Sequence, residues 1–140
     1  MTYAVTVPNA NRMRVPDRAG ELYVNRLSWP VTAQTNGDKV LIGYLPANCK
    51  IHVPDSQIIA DGATAAMSVD VCVDVDTNPV VDNQAVSLNT FARAAFSTFS
   101  LCETIGVSSN NRPVYLLLNT APTAAGGNVY VDLAIYDPAA

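Results

Sequence analysis

The chain has 140 residues, enough for one domain that buries roughly two thirds of the surface its unfolded form exposes, so folding requires neither metal nor disulfide staples. Its residues are 49% hydrophobic and only 14% charged, at the apolar end for a soluble protein, which suggests that some apolar surface faces another subunit. The net charge of −4 is uneven: Arg12, Arg14, Arg18 and Arg26 against Asp17 and Glu21 give the first 26 residues +2 and leave −6 on the remainder, which argues against general nucleic-acid binding.

Residues 1 to 20 hold Pro8, Pro16, Asn9, Asn11 and Gly20 without sustained periodicity, and read as an extended arm ordered only where something holds it. The arm precedes a single body over residues 21 to 140. Glu21 to Ala33 is the first expected strand, placed at a sheet edge or bent by Pro30. Asn36-Gly37 favours positive φ and predicts a reversal into Lys39 to Leu45, which is apolar on both faces and so reads as a central or covered strand. Cys49 to Val53 and Gln57 to Ala60 are short strands separated by Pro54-Asp55-Ser56.

Met67 to Asp76 organises the rest. Val69, Val71, Val73 and Val75 alternate with Asp70, Cys72, Asp74 and Asp76, and successive side chains of a strand point to opposite faces, so the valines are expected in a core and the carboxylates on a wet or partner-facing side. A pairing slip of one residue would bury the aspartates, which fixes the register. Asp76 to Asn83 reads as a loop.

Over Ala85 to Phe99 the period changes: Leu88, Phe91, Ala92, Ala95, Phe96 and Phe99 follow helical spacing with Ser87 as N-cap, predicting a short amphipathic helix. The competing reading is a strand from Ala94. Ser100 to Val107, Arg112 to Thr120 and Asn128 to Tyr136 are the remaining strands, the last two with alternating aliphatics. Seven or eight short strands separated by turn signals indicate an all-β sandwich or barrel.

Chemistry-bearing constellations are sparse. Cys49, Cys72 and Cys102 are odd in number and lack the spacing of a disulfide framework or zinc site, and fit reduced cytosolic synthesis. The N-terminal residues do not read as a signal peptide, and the longest uncharged run holds Pro113, Pro122, Gly126 and Gly127, so no membrane span is expected. His52, the only histidine, sits three positions after Cys49; on a strand the two face opposite sides, which does not set up a nucleophile pair. Asp74, Asp76 and Asn78 copy the start of a calcium loop that fails at Pro79 and Ala85. A solvated acidic face is the stronger reading than an irregular calcium site built from Asp70, Asp74, Asp76 and Asp82. No catalytic residue, metal ligand or cofactor is expected. The partner-contacting candidates are Arg12, Arg14, Arg18 and Arg26, as a strap toward acidic surface on a neighbour, and Trp29, as an interface anchor or core side chain.

The run Gly37-Asp38-Lys39-Val40-Leu41-Ile42-Gly43-Tyr44-Leu45-Pro46-Ala47-Asn48-Cys49-Lys50-Ile51 resembles a pattern of the jelly-roll head decoration, or cement, proteins of short-tailed bacteriophages of the Bordetella-phage type. Ala124-Ala125-Gly126-Gly127-Asn128-Val129-Tyr130-Val131, continuing to Tyr136, resembles their last strand. The resemblance implies a jelly roll that joins the outer surface of an assembled capsid and bridges major capsid subunits as a symmetric dimer or trimer. It implies a virion protein made in the host cytoplasm, without nucleic-acid or membrane partners and without catalytic residues. A ligand-binding β-sandwich, such as a carbohydrate-recognising module or fibre tip, is the alternative.

Overall fold

Period-two alternation of aliphatic and polar residues requires strands whose apolar faces find one another. A computed structural model of the chain, describing residues 2–8, 22–52, 56–61, 65–77, 79–86, 91–92 and 107–137, shows how they do. Ten strands are described: β1 (Val5–Thr6), β2 (Leu22–Pro30), β3 (Lys39–Leu45), β4 (Lys50–Ile51), β5 (Gln57–Asp61), β6 (Met67–Val73), β7 (Pro79–Val86), β8 (Phe91–Ala92), β9 (Arg112–Thr120) and β10 (Asn128–Tyr136). One five-stranded sheet has the order β1-β3-β9-β6-β7. The other has the order β2-β10-β5-β8, with β4 also paired to β10.

The valine row of β6 and the aliphatics Val114, Leu116 and Leu118 of β9 share one buried cluster with Trp29 of β2, Ile58 of β5 and Val129, Val131, Leu133 and Ile135 of β10. Both sheets thus turn one face to a common core, as in a β-sandwich. No helix among the described residues is long and apolar enough to cross a membrane.

The expected turn at Asn36-Gly37 is present. Gly37 has φ of 90°, a region that favours glycine, and the Asp38 N–H donates to the Thr35 carbonyl at 3.0 Å. The Asn36 side-chain oxygen accepts from the Ala121 N–H at 2.8 Å. The strands on either side belong to different sheets, so this turn carries the chain between layers and does not close a hairpin.

Three expectations need correction. The valine strand stops at Val73, because Asp74 adopts φ of 71° and the Val75 N–H turns back to the Val73 carbonyl at 2.9 Å. Val75 therefore lies outside the row, 41% exposed. The loop expected over 76 to 83 gives way at Pro79 to β7, where Val80, Val81 and Val86 are buried; β7 is the last of the described strands in its sheet, and proline is tolerated as the first residue of a strand. Of the helix expected over 85 to 99, Ala85–Val86 close β7 and Phe91–Ala92 form β8 against Ile58 and Ile59; the other positions lie outside the described residues. Backbone pairing with β5 overrides the helical spacing there. Most of the strand expected at 100 to 107 also lies outside them.

β4 and β5 line up along β10 as two pieces of one row. Both pieces occupy the same edge of β10, β4 beside Ile135 and Tyr136 and β5 beside Asn128 to Asp132. Ser56 fills the gap. Its hydroxyl accepts from the Ala134 N–H at 3.1 Å and donates to the His52 carbonyl at 2.9 Å, giving two backbone groups at the interruption a partner.

The arm is described over residues 2–8, which run beside β3. Val5 and Thr6 pair in parallel with Val40 and Leu41, and the Ala4 and Val7 N–H groups donate to the Lys39 and Leu41 carbonyls at 2.9 and 3.0 Å. Val7 is buried, and Tyr3 and Val5 pack against the core.

Candidate interface surfaces

With the aliphatics of each strand turned inward, the outer faces of the two sheets carry the polar and aromatic residues available for recognition. On the β2-β10-β5 face the register sets Asp132 opposite Arg26 on one side and Gln57 on the other. Arg26 grips the carboxylate with two prongs, Nε to Oδ1 at 2.7 Å and Nη2 to Oδ2 at 2.9 Å, while Gln57 Nε2 donates to Oδ2 at 2.7 Å. The guanidinium also lies over the Tyr130 ring, 5.0 Å from its centroid. Hydrogen bonding from Arg26 holds the Asp132 carboxyl below its ordinary range, against the opposing effect of burial, with Gln57 adding to it. Asp132 is buried, whereas the Arg26 side chain remains 55% exposed. Alternation along β2 sets Leu22 and Val24, both exposed, on the same face as Arg26.

On the other sheet Tyr115 of β9 points away from the core between Leu41 and Cys72, and yet has no exposed surface. Tyr3 of the arm covers it with ring centroids 5.7 Å apart, and Lys39 Nζ sits 5.8 Å from its centroid. The Tyr115 hydroxyl donates to Asp76, which also pairs with Lys39 at 3.2 Å. Burial, then the bond to Asp76, pushes the Tyr115 hydroxyl far above its ordinary range. The same bond, reinforced by Lys39, lowers Asp76. Cys72, beneath this cluster, is pushed up to about 12, chiefly by burial. Asp70 accepts a hydrogen bond from Asn119 at 2.7 Å. The carboxylate side of β6 is thus partly covered by the chain itself.

Of the five partner-contacting candidates, Arg26 and Trp29 lie among the described residues. Arg26 is engaged in the Asp132 clamp, with half its side chain open to solvent. Trp29 is 1% exposed in the core, and its indole N–H has no hydrogen-bond partner among the described residues. Arg12, Arg14 and Arg18 lie outside the described residues. Sequence reasoning missed Asp132, Gln57, Tyr130, Tyr115 and Tyr3. The signals were there: Asp132 is the one charged residue in an apolar strand, and Tyr3, Val5 and Val7 alternate.

Cys49 belongs to the core cluster, and burial raises its thiol, the reverse of what an activated nucleophile needs. His52 instead packs edge-on against Tyr136, with centroids 6.1 Å apart. Among the described residues no group of three His, Cys, Asp or Glu side chains is arranged to hold a metal ion. A cleft of about 290 Å³ lies beside Val7 and Pro8, bounded also by Arg26, Leu27, Ser28, Pro30 and Ile42.

No protein-family model matches the chain, and no curated protein matches it. Among solved structures it is similar to a chain of the capsid of Ralstonia phage GP4, with a TM-score of 0.67 and 22% sequence identity, over 98% of this chain and 100% of that one. At that identity the likeness is one of fold.

Proposed function

We propose that this chain is a structural virion protein that binds the outside of a tailed-phage head and cements neighbouring major capsid subunits. The observation that carries the reading is the end-to-end likeness of fold to a chain of the Ralstonia phage GP4 capsid. Strand order supports the finer fold: with β1 and β4 as additions, the orders β3-β9-β6-β7 and β2-β10-β5-β8 are those expected of the two four-stranded sheets of a jelly roll. The motifs at 37–51 and 124–136 point the same way.

The polar groups favour contact over chemistry. Arg26, Asp132 and Gln57 bind one another, as do Tyr115, Asp76 and Lys39, and the thiols of Cys49 and Cys72 are raised. A shell under internal pressure gains from added interface, and specific contacts bury on the order of 1,200 to 2,000 Å² each, repeated over many copies. In this reading the partners are the major capsid protein and further copies of the chain in a symmetric dimer or trimer on the outer surface. Arg12, Arg14 and Arg18 strap toward acidic surface of a neighbour.

The test is to add the purified chain to expanded heads that lack it, then measure co-sedimentation, the temperature at which heads rupture, and extra density by cryo-EM. Stoichiometric binding, a higher rupture temperature and density on the exterior are expected. Failure to sediment with heads, or density confined to the interior or the tail, rejects the reading.

A further inference from the structure

Asn36-Gly37 is the only Asn-Gly pair in the 140 residues. In such a pair the glycine brings no side chain beside its backbone nitrogen, so ring closure onto the asparagine side chain meets least hindrance. Bulk does not shield it here: Asn36 is exposed, and nothing lies within 4 Å of where a Cβ on Gly37 would project. Water therefore reaches the pair.

Hydrogen bonds tie it down instead. The Gly37 N–H donates to the Leu118 carbonyl at 2.7 Å, and the Leu118 N–H donates to the Asp38 carbonyl at 3.0 Å, which extends the β3–β9 ladder into the turn. The Asn36 side-chain oxygen accepts from the Ala121 N–H, 85 residues along the chain. On either side, the Thr35 N–H donates to the Asp38 carboxylate at 2.9 Å and the Asp38 N–H to the Thr35 carbonyl at 3.0 Å. Both reacting groups, the Gly37 nitrogen and the Asn36 amide, are thus held by β9 and the residue that follows it.

We propose that Asn36 is a site of spontaneous deamidation that these bonds keep closed, so that the modification proceeds only when the turn leaves β9. The Gly37 nitrogen attacks Asn36 Cγ; its proton passes to solvent, the side-chain nitrogen leaves as ammonia, and a cyclic imide remains. Water then adds to the imide and breaks one of its two C–N bonds. Breaking the bond to Cγ gives aspartate, whose carboxylate still accepts from Ala121. Breaking the backbone bond gives isoaspartate, whose extra main-chain methylene takes Gly37 and Asp38 out of register with Leu118. Two restraints oppose the first step in the folded chain. The attacking nitrogen has to give up the proton that the Leu118 carbonyl holds, and closure of the ring pulls the side chain off Ala121.

The test follows the full-length chain at mildly alkaline pH, folded and in denaturing guanidinium chloride, with peptide mass spectrometry reading the mass gain at each asparagine. An A121P chain, which lacks the N–H that holds the Asn36 side chain, is run beside it. Asn36 is expected to react first among the asparagines in denaturant, and at least about tenfold more slowly in the folded chain, the ratio that one or two net hydrogen bonds supply. A121P is expected to speed the folded reaction severalfold and to leave the denatured rate unchanged. Equal rates in the folded and denatured chains overturn the proposal, as does an Asn36 that stays intact in denaturant while other asparagines react. A folded A121P chain that deamidates no faster than its parent overturns it too. If A121P does not fold, hydrogen exchange at the Gly37 amide of the unmodified chain decides. Deamidation that accelerates in step with Gly37 exchange across sub-denaturing guanidinium supports the gating, and deamidation indifferent to that exchange overturns it.

Discussion

Arg26 and Asp132, 106 residues apart in sequence, close a two-pronged ion pair across neighbouring strands, and the two partners are unequally buried: 55% of the arginine side chain is exposed against 7% of the aspartate. The inequality gives the two single substitutions different costs. Arg26→Ala leaves a buried carboxylate with Gln57 alone and is expected to cost about 1–3 kcal/mol. Asp132→Asn leaves a guanidinium that water already reaches, so the lost attraction is screened and the cost is expected to stay below about 1 kcal/mol. Urea unfolding midpoints of the two variants at pH 7, at constant slope, check the order. Equal costs contradict it.

Acid and alkali should weaken the fold through different groups. The Asp132 and Asp76 carboxyls have folded values below the ordinary 3.8, so their contribution is complete above that value and disappears as pH falls through the folded values. Stability is expected to hold level from pH 7 to about pH 5 and to fall below about pH 4. The Tyr115 hydroxyl is displaced upward from 10.0, so its contribution is complete below that pH and is lost as pH rises toward the folded value. Asp132→Asn is expected to flatten the acid limb and Tyr115→Phe the alkaline limb. Unfolding midpoints measured across the pH range read both.

Val73 and Val75 belong to one alternating pattern but lie on opposite sides of the bend at Asp74. Val73→Asp buries an unpaired carboxylate and is expected to cost at least about 3 kcal/mol, a large share of an ordinary domain's stability. Val75→Asp changes an exposed side chain and should stay within about 0.5 kcal/mol. Thermal melting of the two variants distinguishes them, and a large loss for Val75→Asp would show that the core extends past residue 74.

Ser56→Ala removes the hydroxyl that serves both the Ala134 N–H and the His52 carbonyl. The expected cost is about 1–2 kcal/mol. Faster hydrogen exchange at the Ala134 amide than at its neighbours along β10 would identify the cause as the opened ladder, whereas a uniform acceleration along the strand would not.

The all-β class and several strands were legible because their signals are local. Lys39–Leu45, Arg112–Thr120 and Asn128–Tyr136 fall where alternation and turn residues put them, since a strand with one buried face writes that face into every second residue. Misreadings arose where distant partners decide. Phe91 and Ala92 carry helical spacing yet pair with Ile58 and Ile59, and Val80 and Val81 sit beside a proline that looks like a loop until β6 lies next to it. The polar clusters were harder to see. Nothing near Asp132 in sequence announces Arg26 or Gln57, because their meeting depends on β10 lying between β2 and β5. Trp29 illustrates the converse: an isolated tryptophan suits a core as well as an anchor, and only the second sheet places it inside.

The position of β10 carries a consequence for biosynthesis. Because β2, β4 and β5 all pair with a strand near residue 130, a growing polypeptide holds three unpaired edges until that strand leaves the ribosome. Pairings between such distant segments form slowly, and half-made sheets adhere to one another. A chain that stops before β10 should therefore accumulate in inclusion bodies or chaperone complexes, with folding delayed until translation has nearly finished.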